Sequence, residues 1–324
     1  MSTAETWTVG RLLTWTADYL KKHGSASPRL DAEVLLAEAR GCNRIDLYTA
    51  FGEEPPEPVK TAFREMVRRR AEGTPVAYLV GRKEFYSLNF EVNPDVLIPR
   101  PETEHLVVEA LDRAKQLRPS TALTAPEASV KETQVDPAED VPYRPKVKPV
   151  VDYTGLRIAD VGTGSGIIAV CLAKNLPGCS VTALDISPAA LATAARNAKQ
   201  HGVESQVALI ESDLLCAVPQ ARFDLIVSNP PYVSESEYAA LDRSVKGFEP
   251  RTALVADEEG TAIITRLFQQ SASALVPGGY LMTELSPMIV DRVTSSIDRT
   301  LYSEPTVIKD LAGLARVVTV KRLP

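Results

Sequence analysis

The stretch "LRIADVGTGSGIIAVCLAKNL", Leu156 to Leu176, decides the fold. The apolar run Ile158 to Val161 breaks off at closely spaced glycines, and a second apolar run follows at helical spacing. That is a strand, a glycine turn and a helix. The alternation continues: "SVTALD" reads as a strand, "SPAALATAARNAKQHG" as a helix, and "VALIESD" and "DLIVSN" as further strands. Strands alternating with helices specify an open, mostly parallel sheet covered by helices, an α/β Rossmann-like class. Ligands in such sheets sit beyond the carboxyl ends of the strands, so the residues closing each strand carry the functional question.

The first strand runs into Gly162-Thr163-Gly164-Ser165-Gly166. This is G-x-G-x-G rather than the dinucleotide pattern G-x-G-x-x-G, because Ile167 holds the place of that pattern's third glycine. Such a loop lets a ligand approach the backbone closely, and the helix after it presents its N–H groups. A Walker lysine does not follow, which disfavours a triphosphate. The second strand ends in Asp185, about twenty residues past the loop, the usual place for an acid that holds ribose hydroxyls. The third ends in Asp213, an acceptor suited to an exocyclic adenine amino group. Two acids at successive strand ends beside a glycine loop make an adenosine pocket.

The fourth strand ends in "SNPPY". Two prolines cannot continue a helix or sit within a sheet ladder, so Asn229-Pro230-Pro231-Tyr232 is a rigid turn. It could hold the Asn229 side-chain carbonyl and the Pro230 main-chain carbonyl at a fixed spacing. Two converging acceptors suit a planar NH2 group, and Tyr232 could cover its flat face. An adenosine pocket beside a clamp for a planar amino group points to S-adenosylmethionine and N-methylation. Spacing leaves open whether that amino group belongs to adenine or to glutamine.

Before this region the chain reads differently. "VGRLLTWTADYLKKH" after Thr8, "PRLDAEVLLAEAR" up to Gly41 and the stripe Val59, Ala62, Phe63, Met66 and Val67 read as three helices of a small bundle over residues 1–73. Arg68-Arg69-Arg70 suits the carboxyl end of the last one. Over residues 74–100 the runs "VAYLVG", "EFYSLNFEV" and "VLIP" read as short β-like segments, a hairpin linking two domains. An amphipathic helix follows over 101–118. Residues 119–154, rich in Pro, Thr, Glu and Lys, read as a flexible insertion, and 155–324 as the α/β domain.

Composition narrows the class. At 324 residues, with 44% hydrophobic and 24% charged residues, the chain reads as a soluble globular protein. A net charge of −6 argues against nucleic acid as a direct partner. Cys42, Cys171, Cys179 and Cys216 show no metal or redox spacing, and the three histidines are scattered, so no metal is expected. With neither a membrane-length apolar run nor a targeting profile in "MSTAETWTVGRLL", the expectation is a cytoplasmic monomer.

The chain resembles the HemK/PrmC family, the release-factor glutamine N5-methyltransferases. The likeness lies in "RRRAEGTPVAYLVGRKEFYSLNFEVNPDVLIPRPETE", "DVGTGSG", "SNPPY", "FEPRTAL" and "DLAGLARVV". Of these, "LIPRPETE" points to this family rather than to adenine-N6 methyltransferases or to the sister group that methylates a ribosomal-protein glutamine. The resemblance implies a class I methyltransferase fold joined by a hairpin to an N-terminal helical domain that contacts the substrate. It implies S-adenosylmethionine held by Gly162 to Gly166 and Asp185, with Leu214 against its adenine and Asn229 nearby. Asn229, Pro230, Pro231 and Tyr232 would hold the substrate glutamine, with Arg100 and Glu102 lining the same cavity. The substrate implied is the glutamine of the Gly-Gly-Gln motif in class I peptide-chain release factors. One departure concerns "TELSPMIV", which has Ser286 and Ile289 where a glycine and a glutamine are usual.

Overall fold

A computed structural model describes residues 6–118, 152–257 and 259–324. The expected insertion, residues 119–154, lies outside the described residues except for its last three, 152–154. There Tyr153 is buried and donates its N–H to Pro177, so the ordered α/β unit already includes it.

The N-terminal part is built from α1 (Val9–Lys22), α2 (Pro28–Arg40), α3 (Asp46–Thr49) and α4 (Glu57–Ala71). Thr8 caps α1 by accepting from the Arg11 N–H. Pro28 starts α2 and Gly41, in the left-handed region, stops it. Leu13, Leu20, Leu35, Leu36, Leu47 and Phe63 form the bundle core. Arg70 pairs with Asp31 at 2.8 Å, tying α4 to α2, while Arg68 reaches Glu65 and Glu72 on its own turn.

The linking segment corrects the expected pattern. "VAYLV" is a helix, α5 (Val76–Val80), closed by Gly81, and "VLIP" lies in no strand. Its five apolar residues have no alternation that would distinguish a strand from a buried helical turn. Only β1 (Arg82–Phe85) and β2 (Leu88–Glu91) form the hairpin. Next comes α6 (Glu104–Leu117).

The α/β unit follows the expected order: β3 (Arg157–Val161), α7 (Ile167–Asn175), β4 (Ser180–Asp185), α8 (Pro188–Gln200), β5 (Val207–Glu211) and β6 (Phe223–Ser228). Then come α9 (Glu235–Ala240), α10 (Arg243–Lys246), α11 (Ala262–Ala274), β7 (Leu275–Glu284), α12 (Val290–Ser296), β8 (Thr306–Lys309) and β9 (Ala315–Lys321). Among the described residues they make a seven-stranded sheet in the order β5-β4-β3-β6-β7-β9-β8, with β9 antiparallel to its neighbours.

Side chains alternate across the sheet. Ile158, Leu225 and Val227 pack with α6 and α7, whereas Ala159, Val161 and Ile226 pack with α11 and α12. The chain therefore winds away from β3 in both directions, and the topological switch point lies between β3 and β6. Val161 pairs with Ser228 in parallel register, so the next residues, Gly162 and Asn229, leave the sheet side by side.

Candidate active site

At the switch point the glycine loop and the Asn-Pro-Pro-Tyr turn face each other. A Cβ built on Gly162 would lie 4.0 Å from the Asn229 carbonyl oxygen. Gly166 has φ +81°, and a Cβ there would come within 3.0 Å of the Ala194 Cβ on α8. Its glycine is needed for helix packing as well as for the left-handed backbone. Around Gly164 a Cβ would meet nothing within 4 Å, which leaves the loop open to a ligand.

The loop's polar side chains point inward. Thr163 donates to Asp160 Oδ2 at 2.6 Å, and the Ala169 N–H donates to the same oxygen at 3.0 Å. Asp160 is fully buried, its Oδ1 has no partner among the described residues, and burial pushes its carboxyl up to about 7. Ser165 is buried too, and its carbonyl accepts from Asn197. The ligand-facing part of the loop is thus backbone.

Asp185 closes β4 and accepts from the Gly164 N–H at 2.8 Å and the Ser187 N–H at 2.9 Å. Each oxygen keeps a further lone pair for a hydroxyl. Burial raises its pKa, partly opposed by these N–H groups. Ile186 follows it, 63% exposed, an apolar face beside the acid. Leu214 has φ +52°, unusual for a branched residue and typical of strain held at a functional site. Asp213 sits two residues beyond the end of β5 on the surface, where its Oδ2 accepts from Arg266 at 2.6 Å.

The Asn229 Nδ2 donates to Thr103 Oγ1 at 3.1 Å, and the Tyr232 hydroxyl donates to Glu284 Oε1 at 3.4 Å. Burial raises the Tyr232 phenol well above its ordinary range, reinforced by the Glu284 charge. Glu284 closes β7, is 1% exposed, and burial pushes it up to about 7. Arg100 pairs with the buried Glu249 at 2.6 Å, and the other Glu249 oxygen accepts from the Ile98 N–H. Glu102 lies 3.9 Å from Arg316, which is held by Asp310 at 2.8 Å. Gly260 presses against the turn: a Cβ there would fall 2.4 Å from the Tyr232 carbonyl oxygen.

Thr103, Glu249 and Asp160 were not singled out from sequence. All three lie within stretches that carried the resemblance, "LIPRPETE", "FEPRTAL" and "DVGTGSG", but Asp160 reads there as one more strand residue. The "TELSPMIV" departure is accommodated. Among the described residues, the non-glycines with positive φ are Tyr86, Ser87 and Leu214, so Ser286 occupies no position that demands glycine. Ile289 is buried in the core beside α12.

The residues present fit S-adenosylmethionine. An open glycine loop, a half-buried carboxylate with spare lone pairs at Asp185 and an exposed apolar side chain at Ile186 suit an adenosine.

A family model described as PrmC N-terminal domain matches residues 11–81, and one described as Methyltransferase small domain matches residues 147–247. The release factor glutamine methyltransferase of Rhodopirellula baltica is 46% identical over 323 residues, 98% of this chain and 97% of that one. Those of Geobacter sulfurreducens and Salmonella typhimurium are 37% and 36% identical, covering 97% and 90% of this chain and 96% and 92% of their own lengths. With identity of this level running through both the helical bundle and the α/β unit, the chain belongs to the release factor glutamine methyltransferase family.

Proposed function

We propose that this chain methylates the N5 side-chain nitrogen of the glutamine in the Gly-Gly-Gln motif of class I peptide-chain release factors, using S-adenosylmethionine. The observation that carries the reading is the meeting of Gly162 and Asn229 at the switch point, which sets a cofactor loop against an amide clamp.

Each residue then has a physical task. The glycine-loop backbone and Asp185 hold the cofactor, with Ile186 and Leu214 as apolar surfaces for its adenine, and Asp213 at the pocket edge. When bound, S-adenosylmethionine supplies a methyl group activated by its sulfonium. Asn229 Oδ1 and the Pro230 carbonyl accept the two hydrogens of the glutamine NH2, Pro231 stiffens the turn, and Tyr232 covers the amide plane. An amide nitrogen is a weak nucleophile, so alignment matters most, and positioning can supply up to ~7–11 kcal/mol. The two acceptors also stabilise positive charge growing on the nitrogen as its lone pair forms the N–C bond and the C–S bond breaks. The methylated nitrogen then loses a proton without needing a strong base.

Arg100 and Glu102 line the substrate side, held by Glu249 and facing Arg316. The N-terminal bundle, which exposes Trp15, Ile45, Tyr48 and Phe51, is the surface for the body of the release factor. No helix among the described residues is long and apolar enough to cross a membrane. Buried free thiols at Cys171 and Cys179 suit a reducing cytoplasm, and we read the working unit as a monomer.

The test incubates the protein and labelled S-adenosylmethionine with a class I release factor, the same factor with its Gly-Gly-Gln glutamine changed, or duplex DNA. Label on the intact factor alone supports the proposal, and label on DNA or on the changed factor overturns it. Asn229→Ala is expected to abolish nearly all transfer while keeping most cofactor affinity.

A further inference from the structure

We propose that the β8–β9 loop docks the glutamine-bearing segment of the acceptor protein, with Arg316 donating to main-chain carbonyls of that segment and Leu311 and Leu314 covering its apolar flank. The inference rests on the methyl-transfer reading above and deepens it.

Sheet order decides from which side an acceptor reaches the clamp. The residues assigned to the cofactor follow β3 and β4, on one side of Asn229 at the end of β6. On the other side lie β7, β9 and β8. Glu284 closes β7, 3.4 Å from the Tyr232 hydroxyl, and pairs with Val317 in the β7–β9 ladder. Arg316 precedes Val317, and its carbonyl accepts from the Leu285 N–H at 2.9 Å. The start of β9 therefore extends the clamp away from the cofactor residues.

Contacts within the fold leave most of the Arg316 guanidinium unused. The side chain is 20% exposed, and its Nε donates to Asp310 Oδ2 at 2.8 Å. Glu102 lies 3.9 Å from Nη2, beyond hydrogen-bond length. Both terminal NH2 groups thus have no hydrogen-bond acceptor among the described residues. Water can serve them in the free protein, and carbonyl oxygens can replace it on docking.

The neighbours select the acceptor chemistry. Glu102 beside the guanidinium repels a carboxylate, whereas a carbonyl carries no net charge. The side-chain carbonyl of the target glutamine is unsuitable, because a cation there would draw on the nitrogen lone pair that has to attack. Main-chain carbonyls remain, and beside glycines no side chain shields them. A planar fork of donors matches such oxygens better than a point charge does.

The loop is fixed, yet apolar at its tip. Asp310 Oδ1 accepts from the N–H groups of Ala312 and Leu314, both at 2.9 Å, and the Asp310 N–H donates to the Leu314 carbonyl at 2.8 Å. Even so, Leu311 is fully exposed and Leu314 is 46% exposed. Met288, shortly after Leu285, is exposed as well. A loop already fixed loses little conformational freedom on docking, and leucines left in water gain by being covered.

The test measures steady-state methyl transfer to a class I release factor, and calorimetric binding of that factor with S-adenosylhomocysteine present. It compares wild type, Arg316→Ala, Arg316→Lys and Leu311→Asp. Arg316→Ala should raise release-factor KM and Kd by about 10- to 100-fold, the scale of hydrogen bonds from a charged donor. Its kcat and cofactor Kd should stay within about threefold. Arg316→Lys can still pair with Asp310 but lacks the fork, so its KM should remain at least about fivefold above wild type. Leu311→Asp removes no core side chain and should raise KM by about 10-fold. An unchanged KM in Leu311→Asp, full recovery in Arg316→Lys, or a loss confined to kcat in Arg316→Ala would each overturn the proposal. A wild type that leaves the factor unlabelled would overturn the methyl-transfer reading and this inference with it. Unchanged variants beside a wild type that labels the factor would overturn this inference alone.

Discussion

Asn197, on α8, donates its side-chain NH2 to the carbonyl of Ser165 in the glycine loop at 2.8 Å. The same amide pairs with the hairpin, donating to the Glu91 carbonyl at 3.0 Å and accepting from the Glu91 N–H at 2.7 Å. One fully buried side chain therefore joins the glycine loop to the segment that links the helical bundle. Asn197→Leu keeps the volume and leaves three backbone groups without this partner, the Ser165 carbonyl among them buried. An unsatisfied group costs ~1–3 kcal/mol. A lowered denaturation midpoint and a cofactor Kd raised several-fold are expected, measured by chemical denaturation and calorimetry.

Gly260 packs against the Asn-Pro-Pro-Tyr turn. A methyl group at that position would meet the Tyr232 carbonyl at 2.4 Å, and a φ of +75° adds backbone strain. The neighbour is main chain and cannot rotate away, so Gly260→Ala must shift Tyr232. Methyl transfer should fall by about 100-fold, as small misplacements near reacting atoms do. Cofactor affinity should change little, because the glycine loop meets the turn at Asn229 and Gly260 meets it at Tyr232 and Ser234. Equal losses of both would show that the turn and the loop move together.

Asp185 makes the opposite split. Its carboxylate holds the Gly164 and Ser187 N–H groups and has lone pairs left for ribose. Asp185→Ala removes the proposed ribose contact and releases the loop, each step worth about 1–3 kcal/mol. Cofactor affinity should drop by at least about 10-fold in calorimetry, and saturating cofactor should restore much of the turnover.

Much of this was legible along the chain because the signals are local. Ile158 to Gly166 announce a strand, a turn and a helix within a few residues, and Asp185 and Asn229 follow as strand ends in the expected order. The short run Val76–Val80 was misread because five apolar residues fit a buried turn of helix as well as a strand. Thr103 and Glu249 escaped notice for another reason: they reach Asn229 and Ile98 across 126 and 151 positions, and only the closed fold brings them together. The inward turn of Thr163 toward Asp160 likewise follows from tertiary packing, not from the glycine pattern.

Asp160 gives a prediction about stability and pH. Its folded pKa is raised from 3.8 to about 7 by burial, against the pull of Thr163 and the Ala169 N–H. A carboxyl raised in the folded state binds its proton more tightly there than in the unfolded chain. Its contribution is complete below the unfolded value near pH 4 and is lost as pH rises through about 7. Asp160→Asn can keep the Oδ2 acceptor as its amide carbonyl and put an uncharged NH2 in place of the unpartnered Oδ1. Relative to Asp160→Asn, the wild type should therefore lose stability between pH 5 and pH 8, with a gap that widens as pH rises. Denaturation curves of both proteins across that range provide the check. A constant gap would mean that Asp160 does not change its charge in the folded protein over this interval.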